Sequence, residues 1–441
     1  MSINPRNTAL KILYDVETDL SYLNLKLKSA LENGELSSVD KRFITELVHG
    51  TVKMKINLDY IISKFSKLKL KKISPWVINI LRMGVYQIYY MDKVPSSAAV
   101  NESVKLAKKY ANQGAVGFVN GTLRAISKCE NIEYPKDKIE YLSAKYSYPM
   151  WICKRWVNDF GFEKAEMIMI ESNDRPNVYF RTNTLKTDVE TLKKLLEDEG
   201  VMCDIYQNDY LKNIDYCLVP DKTGNISELD AYKKGLFYVQ DVGAAQIVEA
   251  LAPKKGETII DMCAAPGGKT THIAEKMGND GKIYAFDVYD HKIKLINDNA
   301  KRLGIDIIDV HIGDGLVYNE SLSEIADKVL VDAPCSGLGI ISRKPDIKYL
   351  RKEEDIEKLA DISYNILQNA SKYVKKGGTI VFSTCTIDKT ENENLIEKFL
   401  AENKEFYLEP ITEYDDKNSG YITLYPSKYN DGFFICKVKR R

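Results

Sequence analysis

The 441-residue sequence carries no net charge, no C-x-x-C pair, no long uninterrupted apolar run and no excess of glycine or proline. Each absence excludes a class of protein. With 25 Gly, 13 Pro, 44% apolar and 29% charged residues, the composition is neither collagen-like nor wholly disordered. The eight cysteines, at 129, 153, 203, 217, 263, 335, 385 and 436, are scattered, which argues against a structural zinc site or a disulfide framework and for a reducing, cytoplasmic compartment. The first residues have no apolar signal-peptide core, and the most apolar stretch, 76–91, is broken by Asn79, Arg82 and Gln87. Neither a secretion signal nor a membrane span is expected.

What is there is unevenly placed. Residues 1–140 hold 22 basic against 14 acidic side chains, so the balanced total hides a basic front and an acidic remainder. The length implies two or three domains. We expect a helical bundle over 1–135, a small α+β region over 140–235 and an α/β domain over 236–441. The bundle follows from an Asn4-Pro5 helix start and from apolar faces at helical spacing, beginning with Ala9, Leu10, Ile12, Leu13 and Val16. Residues 53–72 hold seven lysines and one acid, Asp59. Such a run reads either as the solvated face of helices or as a phosphate-contacting surface. From residue 256 short apolar strands alternate with helical segments, at 258–262, 283–287, 307–312, 328–332 and 379–383. That pattern predicts βαβ units and a mostly parallel, doubly wound sheet, with 433–438 closing it and 421–425 alongside.

The chemistry gathers at the predicted strand ends. Asp261-Met262-Cys263-Ala264-Ala265-Pro266-Gly267-Gly268-Lys269-Thr270 follows the first strand and opens a helix, where glycine lets a ligand approach and helical N–H groups stand free. A P-loop would need Gly where Cys263 stands, and no G-x-G-x-x-G fingerprint is present. Asp287 and Asp314 follow the next two strands, suited to the ribose and adenine ends of an adenosine. An adenosine cofactor without a pyrophosphate cradle points to S-adenosyl-L-methionine. Asp332 and Cys335 follow the fourth strand and Cys385 the fifth. A thiolate adding to carbon 6 of cytosine makes carbon 5 nucleophilic enough to take a methyl group. A carboxylic acid in an apolar pocket, Asp332, would neutralise the charge developing at N3. Two thiols could divide addition and release, but the spacing does not rank them.

These motifs resemble the RNA (cytosine-5)-methyltransferases of the Sun/Fmu group, and within it those acting on small-subunit ribosomal RNA. Asp40-Lys41-Arg42-Phe43, Ala98-Ala99-Val100-Asn101-Glu102 and Phe118-Val119-Asn120-Gly121 resemble that family's NusB-like front domain. Tyr148-Pro149-Met150-Trp151, Arg181-Thr182-Asn183-Thr184 and Val239-Gln240-Asp241 are similar to its middle segment. The cofactor turn, 332–337, Arg343-Lys344-Pro345-Asp346-Ile347-Lys348 and Ser383-Thr384-Cys385 resemble its catalytic core. Thr386, Ser342 and Lys344 depart from the commoner family residues. The resemblance implies a NusB-like bundle, a small α+β region and a Rossmann-like methyltransferase domain. It implies that Cys263, Ala264, Ala265, Pro266, Gly267, Gly268, Lys269, Asp287, Asp314 and Asp332 hold S-adenosyl-L-methionine. It makes Cys385 the nucleophile and Cys335 the residue that assists release, with Asp332 also on the base. Lys64, Lys67, Lys69, Lys71 and Arg343 are the expected RNA contacts. The expected partner is 16S ribosomal RNA or a small-subunit assembly intermediate, met by a monomer with no metal and no membrane. The alternative is an RNA-binding antitermination protein with an inactive methyltransferase-like half.

Overall fold

The computed structural model describes residues 4–19, 23–32, 36–207, 213–411 and 419–441. The chain divides into two compact units, Met1–Asn173 with Arg343–Arg351, and Asp174–Ser342 with Lys352–Arg441. Among the described residues no helix is long and apolar enough to cross a membrane.

The first unit is helical. Its first helix, Pro5–Thr18, starts as its sequence dictates, with Asn4 Oδ1 accepting from the Asn7 N–H at 3.1 Å and Pro5 in the first turn. Helices Ser38–Lys53, Lys55–Phe65, Pro75–Tyr90, Ser96–Tyr110 and Gln113–Ile126 follow, burying Leu10, Leu47, Leu58, Ile80 and Val119 in one core. Gly50 is required there, since a Cβ would lie 1.8 Å from the Tyr86 ring. The helix Leu23–Leu31 has no helical signal in its sequence, where Leu23, Leu25 and Leu27 alternate like a strand. Packing decides against the pattern: Leu23 and Leu27, one turn apart, are buried, and Leu25 is left 66% exposed.

The polar break in the apolar stretch 76–91 is structural. Arg82 is buried and forks onto Asp59 with bonds of 2.7 and 2.8 Å, while its Nη1 donates to Glu17 at 2.9 Å. Asp59, the single acid of the lysine-rich stretch, is thereby consumed. Helices Lys138–Tyr146, Met150–Phe160 and Phe162–Asn173 belong to the same unit. So does Arg343–Arg351, where Asp346 accepts from the Leu23 N–H at 3.2 Å and Tyr349 Oη lies 3.0 Å from Ser147 Oγ.

The second unit carries two sheets. The strands β1 (Phe180–Thr182), β2 (Cys203–Ile205), β3 (Cys217–Pro220) and β4 (Phe237–Val239) form an antiparallel sheet in the order β2-β3-β1-β4. The larger sheet comprises β5 (Thr258–Asp261), β6 (Lys282–Asp287), β7 (Ile308–Ile312), β8 (Ala326–Asp332), β9 (Val374–Thr384), β10 (Phe406–Leu408), β11 (Tyr421–Leu424) and β12 (Phe433–Arg440). Its order is β10-β12-β9-β8-β5-β6-β7, with β11 also on β12. From β7 to β9 all neighbours are parallel; β12 runs antiparallel. Alternate residues feed two cores, Ile259, Leu330, Val381 and Ile435 on one face and Ile260, Val331, Phe382 and Phe434 on the other. Both faces are therefore buried, and the functional groups are confined to the rims.

Candidate active site

Because β5 to β9 are parallel, their carboxyl ends share one rim. Asp261 ends β5, Asp287 ends β6, Asp332 ends β8 and Cys385 follows β9. The turn after β5 is tied down by the Ala264 N–H donating to Phe286 O and the Gly267 N–H donating to Ala264 O, both at 2.8 Å. Gly267 sits at φ +97, a conformation that L side chains rarely adopt, just before the helix Gly268–Lys276. A Cβ on Gly268 would come within 3.0 Å of the Tyr238 ring.

Two hollows open at this rim. One, of about 350 Å³, is lined by Met262, Phe286, Ile312, Asp314, Val317 and Tyr318. The other, of about 210 Å³, is lined by the turn residues 263–266 and by Asp261, Gly268, Lys269 and Asp332. Asp287 is buried and accepts from the Ala265 and Tyr289 N–H groups at 3.3 Å, with Lys292 at 3.4 Å. Asp314 caps its own loop, accepting from the Leu316 N–H at 2.9 Å. Burial, with the surrounding acids second, pushes the Cys263 thiol up.

Asp261, the first residue of the cofactor turn but absent from the expected cofactor contacts, belongs to this site. It is 1% exposed; its Oδ2 accepts from Thr270 Oγ1 at 2.7 Å, and its Oδ1 has no hydrogen-bond partner among the described residues. Burial raises its carboxyl to about 7 against the Thr270 bond. Its place at a strand end beside the cofactor turn was the available signal.

Asp332 differs from its expected surroundings. No apolar pocket encloses its carboxylate: Lys269 Nζ lies 2.6 Å from Oδ2 and Ser383 Oγ donates to Oδ1 at 2.9 Å. Burial opposes the Lys269 charge, but Asp332 together with Cys385 and Asp261 outweighs it and the ammonium pKa is raised. The acid brings a cation with it, which the sequence reading did not pair.

The two thiols meet. Cys335 Sγ and Cys385 Sγ are 3.4 Å apart. The backbone brings them together, since the Ala333 N–H donates to Ser383 O at 2.8 Å and the Gly339 N–H to Cys385 O at 2.9 Å. Gly339 admits this approach, because a Cβ there would lie 2.9 Å from Cys385 O and 2.2 Å from Gly432 O. The Cys385 sulfur, with burial second, holds the Cys335 thiol well above its usual range.

Arg181 of β1, noted above only as a matching residue, anchors the cofactor helix. It is fully buried, donates to Glu275 at 2.8 and 3.0 Å and gives Nη1 to Gly268 O at 2.7 Å. The expected RNA contacts lie in the first unit. Lys64, Lys67, Lys69 and Lys71 are all exposed, and none pairs with an acid among the described residues. Lys53 and Lys55 of the same run are otherwise engaged, Lys53 with Asn173 O and Lys55 with Glu17 at 3.4 Å. Arg343 is half-buried and belongs to that unit as well. Among the described residues no cluster of His, Cys, Asp and Glu is arranged to hold a metal ion.

Comparison with known proteins gives three family matches, 16S rRNA methyltransferase RsmB/F over residues 248–439, NusB family over 3–128 and RsmF/B-like ferredoxin-like domain over 148–209. The chain is 38% identical over 449 residues to "Probable ribosomal RNA small subunit methyltransferase B" of Bacillus subtilis, covering 99% of this chain and 98% of that one. Among solved structures, PH0851 matches with a TM-score of 0.82 and 29% identity over 100% of both chains. NSun6 from Pyrococcus horikoshii with SFG matches with a TM-score of 0.57 and 26% identity, covering 69% of this chain and 98% of that one.

Proposed function

The chain belongs to the RsmB/F family of 16S rRNA methyltransferases, and from that footing we propose that it methylates carbon 5 of a cytosine in 16S ribosomal RNA through a covalent bond from Cys385 to the base. It is an S-adenosylmethionine-dependent rRNA methyltransferase with a NusB-like front domain, a ferredoxin-like middle domain and a Rossmann-like catalytic domain. The observation that carries the finer reading is the 3.4 Å approach of the two sulfurs at the rim that also holds the Lys269–Asp332 pair.

The rim fits the cofactor. The unpartnered Asp261 Oδ1 offers an acceptor to the amino group of its methionine part, Asp287 suits ribose hydroxyls, and the larger hollow beside Asp314 suits a purine. When bound, S-adenosylmethionine supplies an electrophilic methyl group. The protein's own work is to make the acceptor carbon nucleophilic. Cys385, as thiolate, adds to carbon 6 of an unstacked cytosine, and the Lys269 ammonium held by Asp332 meets the negative charge spreading to N3. The enamine carbon 5 then takes the methyl group. With its sulfur bonded to carbon, Cys385 no longer suppresses ionisation of Cys335. Cys335 loses its proton to water and takes the proton from carbon 5. The C–H pair restores the C5–C6 double bond, and the C6–S pair returns to Cys385. Lys64, Lys67, Lys69 and Lys71 contact RNA phosphates in this reading, their exposure and lack of acidic partners supporting it.

Mixing the protein with labelled RNA and cofactor and running denaturing gels tests the assignment. Cys335→Ser should accumulate a methylated RNA–protein adduct, and Cys385→Ser should give none. The reverse pattern would exchange the two roles, and no adduct in any variant would refute the covalent route.

A further inference from the structure

The thiols stand on two separate loops, residues 333–339 after β8 and residues 385–392 after β9. One backbone bond, Gly339 to Cys385, joins the loops and a second ties Ala333 to Ser383 of β9, but a third tie is made by a side chain outside the motifs above. Glu391 is 1% exposed. Its Oε1 accepts from the Ser336 N–H at 2.7 Å and its Oε2 from the Ser336 hydroxyl at 2.6 Å. Ser336 directly follows Cys335. The Ser336 oxygen also lies 2.9 Å from Oγ1 of Thr386, the residue after Cys385, and the Thr386 carbonyl accepts from Asn392 at 3.0 Å. Ser336, Thr386, Glu391 and Asn392 are all buried. One carboxylate thus grips the neighbour of one thiol by two charge-assisted bonds, and that neighbour touches the residue beside the other thiol.

Burying a carboxylate is costly, and it persists only where bonds compensate it. Burial raises the Glu391 carboxyl to about 7, against the two Ser336 bonds, and its charge is one of the influences that raise the Cys335 thiol. A buried structural acid could be replaced by an apolar side chain of similar volume; this one is directed at Ser336, beside Cys335, and at Thr386, beside Cys385.

We propose that Glu391 is a positioning residue for the release half of the reaction, holding Cys335 against Cys385 through Ser336. The inference rests on the covalent reading above. Of the two thiols, addition needs only Cys385, whereas release needs Cys335 next to the adduct to take the carbon 5 proton while the C6–S bond breaks. Loosening Ser336 should therefore slow release and spare addition.

The test is single-turnover reaction of full-length Glu391→Gln, Glu391→Ala and Ser336→Ala with labelled RNA and cofactor, following adduct formation and decay on denaturing gels. Thermal melts establish which variants are folded. Formation is expected to stay within about threefold of wild type, while decay slows roughly tenfold to hundredfold in Glu391→Ala, the size of effect a reacting group misplaced by about 1 Å produces. Glu391→Gln, which keeps one acceptor oxygen, and Ser336→Ala, which keeps the backbone bond, should be slowed less. Formation and decay slowing by a common factor, or unchanged decay in the folded variants, would overturn the proposal. Cys335→Ser is the control. If it too leaves no long-lived adduct, the covalent reading fails first; if it does and the Glu391 and Ser336 variants do not, only the role of Glu391 fails.

Discussion

The lysines at 64–71 and the side chains at the rim of the large sheet are built on opposite principles. Lys64, Lys67, Lys69 and Lys71 are exposed and unpaired with acids among the described residues, and Lys64 lies over the Tyr60 ring at 5.0 Å. At the rim, every functional group is held: Lys269 by Asp332, Asp332 by Ser383, Asp261 by Thr270, Cys335 by contact with Cys385. The first arrangement suits a polyanion whose phosphates are interchangeable, where contributions add. The second suits bond making, where each group is useless without the others. Single substitutions should be mild in the first region and severe in the second.

The largest expected effect is at Cys385. Cys385→Ser should lower the rate of methyl transfer by roughly 10⁴-fold or more, as removal of a nucleophile does elsewhere; retention of a tenth of the activity would break the comparison at its strong end. Next comes Arg181, whose removal leaves Glu275 buried without its cation at 2.8 Å. Arg181→Ala should cost about 3–5 kcal/mol of stability, read by denaturant or thermal unfolding, and an unchanged midpoint would mean that the cofactor helix is held otherwise. Smaller again is a pH effect at Asp261, raised to about 7 by burial. Below that value the protein binds a proton there that the unfolded chain has already lost above about pH 4, so this group's contribution to stability falls as pH rises towards 7. If the Asp261 carboxylate accepts from the cofactor's amino group as proposed, affinity for S-adenosylmethionine should fall by up to about tenfold per pH unit below 7. Calorimetry on Asp261→Asn should find a weaker affinity without that slope. The smallest effects belong to the lysines. Each replacement should lower the slope of log affinity for RNA against log salt by only about 0.7–0.9, with the four adding. A single lysine variant that abolished binding would make that surface a specific site after all.

How much of this was legible in the residues differs between the same regions. The parallel strands could be placed because each is a short apolar run between helices, and their order put Asp287, Asp314, Asp332, Cys335 and Cys385 at one rim before any coordinates. The helix Leu23–Leu31 was not legible, since its leucines alternate and only burial of Leu23 and Leu27 selects the helix. Nor was the packing of Arg343–Arg351 with the first unit, which depends on contacts such as Asp346 with Leu23, far away in sequence. At the site, residue types were readable and their partners were not. Asp332 looks like a lone acid until the fold supplies Lys269, and Glu391 sits in a polar stretch, Asp388-Lys389-Thr390-Glu391-Asn392, that reads as a solvated helix start. Partnerships across the sheet depend on register, which a single sequence does not print.

The central claim is that the methyl group goes to carbon 5 of a cytosine through an adduct at carbon 6. Loss of tritium from RNA carrying cytosine tritiated at carbon 5 tests it most directly, because that hydrogen leaves only if carbon 5 becomes tetrahedral and is then restored. The account predicts one tritium released for each methyl group transferred by the wild-type protein, and methylated RNA retaining its tritium on Cys335→Ser. Methyl transfer by the wild-type protein with the tritium still on the base would contradict it.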